Sequence, residues 1–328
     1  NALVARGVAP GDRVAVQAAK DPLVLALHLA CVRAGAVYLP LNSAYTEREL
    51  IDLLDDAEPA LLVRDEPLAH ATASFSMADV VRACDTLPDT FADVPRQATD
   101  PASILYTSGT TGRPKGAVMS HGNLAFSGTM LADAWGFTSD DVLLHILPLF
   151  HTHGLFVAAY CTLLSGASMI MHENFDPKAV VRDLPECTVM MGVPTHYTRL
   201  LSDGDFTADV GRGMRLFTSG SAPMLVATHE EFRDRTGHTI LERYGMTETC
   251  MLTSNPLVGE RKVGTVGPAL PGVEVRVVDG SPGAVEVRGP NVFSGYWRRP
   301  ELQSTEFTAD GWFKTGDIGR LDDDGYLE

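Results

Sequence analysis

Strand-like and helix-like stretches alternate over the first part of the chain, and this alternation most restricts the folds open to it. DRVAVQ at 12–17 reads as a strand, and DPLVLALHLACVRAG at 21–35 as an apolar-periodic helix with Asp21 as its N-cap and Gly35 just past its end. AVYLPL at 36–41 is a strand, TERELIDLLDDAEP at 46–59 a second amphipathic helix, and ALLVRD at 60–65 a third strand. A polar, Pro-containing connection runs from Asp85 to Asp100. The alternation then resumes: VLLHILPL (strand), GLFVAAYCTLLSG (helix), SMIMH (strand), DPKAVVRDL (helix), TVMMGV (strand) and PTHYTRLLSDG (helix). Such a series predicts an α/β fold with doubly wound, mostly parallel sheets and helices between the strands. After Gly267 the texture changes. PGVEVRVVDGSPGAVEVRGP at 271–290 alternates apolar and polar residues about a turn at Asp279 to Gly283, which predicts a small antiparallel β subdomain. The expected division is 1–267 for the α/β core and 268–328 for the β-rich part.

Composition narrows the function classes. With 328 residues and 45% hydrophobic side chains, the chain suits a well-buried core. A formal net charge of −16 disfavours nucleic acid as a partner, so any anionic ligand must be held by local donors, a metal and a few placed cations. The apolar run LVLALHLACV ends at Arg33, too short to span a membrane, and no secretory leader is visible. Cys31, Cys84, Cys161, Cys187 and Cys250 show neither metal-site spacing nor a disulfide framework. Buried free thiols in a reducing cytoplasm are expected.

The densest chemistry lies in YTSGTTGRPKG, from Tyr106 to Gly116. Glycine lets a backbone approach a ligand closely, successive N–H groups cradle anions, and Lys115 adds a compact positive charge. The stretch reads as a loop around a polyphosphate. It is not a Walker A loop, because Pro114 precedes the lysine and Gly116 follows it.

Three further segments, FTSGSAP at 217–223, ERYGMTET at 242–249 and WFKTGDIGRLDDDGYLE at 312–328, follow in an order that resembles the adenylate-forming superfamily. That group includes acyl-CoA synthetases, luciferases and the adenylation domains of peptide synthetases. The resemblance covers nearly all of the chain. It implies the large N-terminal domain of such an enzyme, followed in the family by a hinge and a smaller domain with a catalytic lysine, which these residues do not include. It also implies a longer connection near Gly280 and Ser281 than the one here.

The implied reaction joins a carboxylate to the α-phosphate of ATP, releasing pyrophosphate, and then transfers the acyl group to the thiol of CoA. By resemblance, Thr107, Ser108, Gly109, Thr110, Thr111, Gly112 and Lys115 hold the β- and γ-phosphates. Glu248 holds Mg²⁺, a hard cation that takes oxygen ligands, and Thr247 donates to the α-phosphate. Gly220, Ser221, Ala222 and Pro223 form the adenine slot, with Tyr244 stacking on the base and Arg243, Gly245 and Met246 beside it. Asp317 accepts from the ribose hydroxyls. His153 lines the channel where carboxylate and α-phosphate meet. A zinc site from His145, His151 and His153 is a rival reading that lacks a fourth ligand at suitable spacing.

Arg199 and Arg243 bear on the choice of acid. Within this resemblance both fall where neutral substrates want an apolar wall, and a buried arginine needs a counter-charge. A second substrate carboxylate would supply it through paired hydrogen bonds, with Ser219 and His153 alongside. The pattern is similar to the malonyl-CoA synthetases, which also take methylmalonate. The structural alternative pairs Arg243 with Glu242 and leaves Arg199 solvated. Other readings are a ligase for another short- or medium-chain acid and a non-catalytic nucleotide-binding module. Amino-acid adenylation is disfavoured, because PLFHTHGLF has no acid to meet a substrate ammonium.

Overall fold

The computed structural model describes residues 1–107 and 114–328. Fifteen strands form three sheets among the described residues. The first holds β1 (Arg13–Val16), β2 (Val37–Pro40), β3 (Leu61–Val63), β4 (Ser74–Phe75), β5 (Pro101–Thr107) and β6 (Lys115–Ser120), in the order β4-β3-β1-β2-β5-β6. All its pairs are parallel except β5 with β6. The second holds β7 (Val142–His145), β8 (Ser168–Met171), β9 (Val189–Gly192), β10 (Leu216–Ser219), β11 (Leu241–Tyr244) and β12 (Thr253–Ser254), in the order β12-β11-β10-β9-β7-β8. Only β11 with β12 is antiparallel there. The third is antiparallel throughout: β13 (Glu274–Val278), β14 (Gly283–Arg288) and β15 (Phe313–Gly319). The expected fold class is the one found.

Local sequence explains the main elements. The helix Pro22–Ala34 starts where the Asp21 carboxylate accepts from the Leu23 N–H and Pro22 needs no donor. It stops at Gly35, whose φ of 70° is the left-handed cap. The helix Glu47–Ala57 opens with a capping box between Thr46 and Glu49. Its buried residues Leu50, Leu53, Leu54 and Ala57 recur at helical spacing and pack with Ala15, Leu39, Leu62 and Ile104 of the first sheet. Strands such as β9, buried at every position, are the apolar runs that a sheet covered on both faces requires.

Several elements differ from the sequence reading. GLFVAAYCTLLSG is not one α-helix: His153–Ala159 is a π-helix, followed by a short α-helix at Tyr160–Leu164. Helices at Met77–Thr86, His121–Ala134 and Val226–Thr236 were not read from the sequence; the first is amphipathic and opens with a capping box between Ser76 and Asp79, whereas the other two show little amphipathic contrast. All five cysteines are free, but Cys84 is exposed rather than buried.

The chain folds into two compact units. The first comprises Asn1–Leu124, Leu149–His151 and Phe293–Pro300, and the second Ala125–Pro148, Thr152–Val292 and Glu301–Glu328. The first unit contains the first sheet, and the second contains the other two. No helix among the described residues is long and apolar enough to cross a membrane.

Candidate active site

In the first unit, Thr107 ends β5 and Lys115 opens β6, and the two stand opposite each other in the antiparallel ladder. The Thr107 hydroxyl donates to the Lys115 carbonyl at 3.4 Å. Ser108, Gly109, Thr110, Thr111 and Gly112 lie outside the described residues. The segment 293–300 returns along β6: the Val118 N–H donates to the Gly295 carbonyl at 3.1 Å and the Trp297 N–H to the Gly116 carbonyl at 2.7 Å. This return carries the Tyr296 ring to 4.9 Å from the Lys115 ammonium, within cation–π range. The same segment is tied to Asp56, which accepts from Arg299 at 2.8 Å and from the Tyr106 hydroxyl at 2.6 Å.

The second unit holds the other candidates. The carboxyl ends of its parallel strands present Ser219 as the last residue of β10, Gly220 just after it, and the turn at 245–250 after β11, the end of an α/β sheet where ligands gather. Strand alternation sends Glu242 and Arg243 to opposite faces. Glu242 accepts from the Gly264 N–H at 3.5 Å, and burial raises its pKa. It makes no ion pair with Arg243, so the structural alternative for Arg243 is set aside. Arg243 is 3% exposed, and its Nε and Nη2 have no hydrogen-bond partner among the described residues. Burial lowers its pKa to about 10, with the nearby Tyr197 acting the other way, so it remains a cation near neutral pH. Its guanidinium lies against Gly220, where a β-carbon would sit 2.3 Å from Nη1 and 2.5 Å from Cζ. Ser219 and Thr218, both buried on the adjoining strand, also have hydroxyls without partners.

A buried cation with two guanidinium nitrogens left without partners is a costly arrangement unless an anion completes it. Thr218 and Tyr197 were not among the residues singled out from sequence. The Tyr197 hydroxyl donates to the Thr218 carbonyl at 2.6 Å and so fixes the end of β10. Arg199 is placed differently from Arg243. It is exposed, and its guanidinium stacks 4.7 Å from the Phe175 ring, which also stacks on His196.

His153 opens the π-helix and is 8% exposed, with Nδ1 3.4 Å from the Ser221 hydroxyl. The next residue must be glycine, because a β-carbon on Gly154 would lie 2.1 Å from the Pro148 carbonyl. Buried His145, at the end of β7, donates from Nε2 to the Gly154 carbonyl at 2.9 Å. Ser221 has a φ of 66°, and Ser221, Ala222 and Pro223 are exposed.

Tyr244 and Asp317 are brought together from β11 and β15, the phenol donating to the carboxylate at 2.5 Å. Burial, then that hydrogen bond, then the nearby Asp317 and Glu248 charges raise the phenol's pKa well above its ordinary value. The turn at 245–250 leaves Gly245, Met246 and Thr247 half-buried and Glu248 only 4% exposed. No group of three or more His, Cys, Asp and Glu residues able to hold a metal occurs among the described residues. The zinc reading therefore has no closed ligand set. A single buried carboxylate does fit Mg²⁺, which takes one or two protein carboxylates and fills its remaining positions with phosphate oxygens and water.

The family described as AMP-binding enzyme matches residues 1–297. A malonate–CoA ligase of Arabidopsis thaliana is 36% identical over 361 residues, covering 98% of this chain and 59% of that protein. The chain thus spans somewhat under two thirds of the curated relative's length. Among solved structures, ATP-bound MatB from Rhodopseudomonas palustris superposes with a TM-score of 0.96 at 51% identity, covering 99% of this chain and 69% of that one. A malonyl-CoA ligase in a ternary product complex with methylmalonyl-CoA and AMP gives a TM-score of 0.87 at 38% identity, covering 96% and 71%. The ordered motifs, the two six-stranded sheets and a family match over most of its length agree: the chain belongs to the AMP-binding enzyme family.

Proposed function

We propose that the protein activates malonate or methylmalonate with ATP. A carboxylate oxygen attacks the α-phosphorus, pyrophosphate leaves, and the thiol of CoA then attacks the acyl carbon to release AMP. The observation that carries this reading is the buried guanidinium of Arg243, whose Nε and Nη2 have no hydrogen-bond partner among the described residues. The reacting carboxylate must face ATP, so a second carboxylate on the substrate is the natural counter-charge for Arg243. A monocarboxylic acid would leave that charge buried and unpaired. Arg199, exposed and stacked on Phe175, takes the lesser part of a polar rim.

The remaining assignments follow the chemistry of the groups. Thr107, Ser108, Gly109, Thr110, Thr111, Gly112 and Lys115 serve the β- and γ-phosphates, and Thr247 serves the α-phosphate. Gly220, Ser221, Ala222 and Pro223 take the adenine, with Tyr244 against its face. Asp317 takes the ribose hydroxyls, a role favoured by its bond to Tyr244. His153, donating from its imidazole, orients the reacting carboxylate. Glu248 holds Mg²⁺, which neutralises phosphate charge when bound. Cytoplasmic placement belongs to the same proposal and is supported by the five free cysteines.

The test is carboxylate-dependent ATP–pyrophosphate exchange by the encoded protein with malonate, methylmalonate, succinate, acetate, butyrate and amino acids. Exchange confined to short dicarboxylates is expected. Exchange with fatty or amino acids would discard the substrate, and nucleotide binding without any exchange would favour a non-catalytic module.

A further inference from the structure

We infer that Asn291 is a positioning residue for the turn at 245–250, holding Glu248 where a divalent cation needs it. Asn291 lies just beyond β14 and is fully buried. Its amide nitrogen donates to the Thr249 carbonyl at 2.9 Å and to the Met251 carbonyl at 2.8 Å. Both hydrogens of one amide are thereby spent on the two carbonyls flanking Cys250. Two carbonyls also fix which way the amide faces, since its oxygen in the same place would be repelled by both.

Cys250 needs such a support. Its φ of 53° is a left-handed conformation that a non-glycine residue adopts only when its surroundings impose it. Thr249, Cys250 and Met251 are all buried, so water is a poor substitute for the lost donors. On the other side, Gly289 lets the chain pass close to the amide, and a β-carbon there would lie 2.5 Å from Asn291 Oδ1. The Thr249 carbonyl is one residue past Glu248, so the anchor acts on the backbone that aims the carboxylate. Within the turn, the Thr249 N–H donates to the Met246 carbonyl at 3.1 Å and the Met246 N–H to the Thr249 hydroxyl at 3.3 Å, and the Leu252 N–H closes it on the Tyr244 carbonyl at 2.9 Å.

The inference rests on the proposed role of Glu248 as the Mg²⁺ ligand, and the experiment separates the two. Mn²⁺ binding is followed by electron paramagnetic resonance on the encoded protein saturated with a non-hydrolysable ATP analogue, alongside pyrophosphate exchange and thermal unfolding. Asn291→Leu keeps the size and removes the donors. We expect it to weaken Mn²⁺ binding about tenfold, with a lower exchange kcat and an unchanged KM for malonate. A residue that only supported the fold would lower the melting temperature and leave Mn²⁺ affinity unmoved in the folded protein, and that result overturns the inference. Should Asn291→Leu fail to accumulate as folded protein, Gly289→Ala displaces the same amide without deleting it, and its Mn²⁺ affinity decides by the same criterion. Weaker Mn²⁺ binding in Glu248→Gln but not in either of these variants rejects Asn291 alone. Unchanged binding in Glu248→Gln rejects the role of Glu248 and the inference with it.

Discussion

The guanidinium of Arg243 lies flat against the α-carbon of Gly220, so close that a β-carbon there would occupy the same space. The contact joins two adjacent parallel strands at their carboxyl ends, β10 through the residue that follows it and β11 through Arg243 itself. It also explains how so large a cation is buried between them.

Arg243 should be a liability to the protein without its substrate. Replacing a buried, unpaired charge by an apolar side chain of similar length removes a desolvation penalty. Arg243→Met is therefore expected to raise stability without substrate by roughly 1–4 kcal/mol in chemical denaturation. The same variant should raise KM for malonate about 10- to 100-fold while changing KM for butyrate little, as loss of a charged hydrogen bond would. Malonate should raise the melting temperature of the parent and not of the variant. Equal losses with both acids would show that Arg243 serves the fold and not the second carboxylate.

Gly220→Ala provides an independent check on the same contact. The added methyl must displace the guanidinium, so KM for malonate should rise by more than KM for ATP, even though every polar group is retained. Unaltered kinetics would mean that Arg243 does not act from its buried position.

Tyr244 should donate its proton throughout the working pH range. Its pKa is raised above the ordinary tyrosine value, so the folded state holds the phenolic proton more tightly than the unfolded chain. The corresponding stability is fully present below about pH 10 and is lost only as pH climbs through the folded value. Tyr244→Phe should raise KM for ATP about 3- to 10-fold, the worth of one ordinary hydrogen bond, without altering the shape of the rate–pH profile up to about pH 9. A changed alkaline limb would contradict this account.

The π-helix depends on two contacts. Gly154→Ala drives a methyl into the Pro148 carbonyl, and His145→Ala strips a buried carbonyl of its donor. Each should destabilise by about 1–3 kcal/mol in thermal or chemical unfolding. His145→Gln or Asn should recover part of the loss if the hydrogen bond is the cause.

Lys115 should depend partly on Tyr296. Lys115→Ala is expected to raise KM for ATP substantially. Tyr296→Leu, which removes a cation–π contact worth about 0.5–1 kcal/mol, should do so only about 2- to 5-fold, and Tyr296→Phe scarcely at all. Equal effects in Phe and Leu would point to the hydroxyl instead.

The elements legible in the sequence were those whose signals are local. Asp21, Pro22 and Gly35 mark both ends of one helix, and period-2 alternation about Asp279 to Gly283 marks β13 and β14. The π-helix was not legible, because over seven residues its apolar pattern is indistinguishable from an α-helix. The contacts at its start, from His145 and Pro148, come from residues that precede it. The helix Val226–Thr236 buries Thr228, His229, Phe232 and Thr236, a mostly polar set without a hydrophobic stripe. At the candidate site, the motifs named Arg243 and Glu248 but left open whether Arg243 paired with Glu242. Strand geometry separated them, and Arg243 Nε and Nη2 are left without hydrogen-bond partners among the described residues. Asn291 stood just past the end of the hairpin and carried no local sign of its two distant carbonyl partners.

The return of residues 293–300 to β6 has a consequence for biosynthesis. A ribosome completes every other strand of the first sheet long before it reaches Trp297, so the emerging chain carries β6 with the Val118 N–H and the Gly116 carbonyl still open on that edge. An unpaired edge invites pairing with neighbouring chains. The first unit is thus synthesised early and sealed late, and a nascent chain halted before residue 293 is the form in which this protein should be most prone to aggregate.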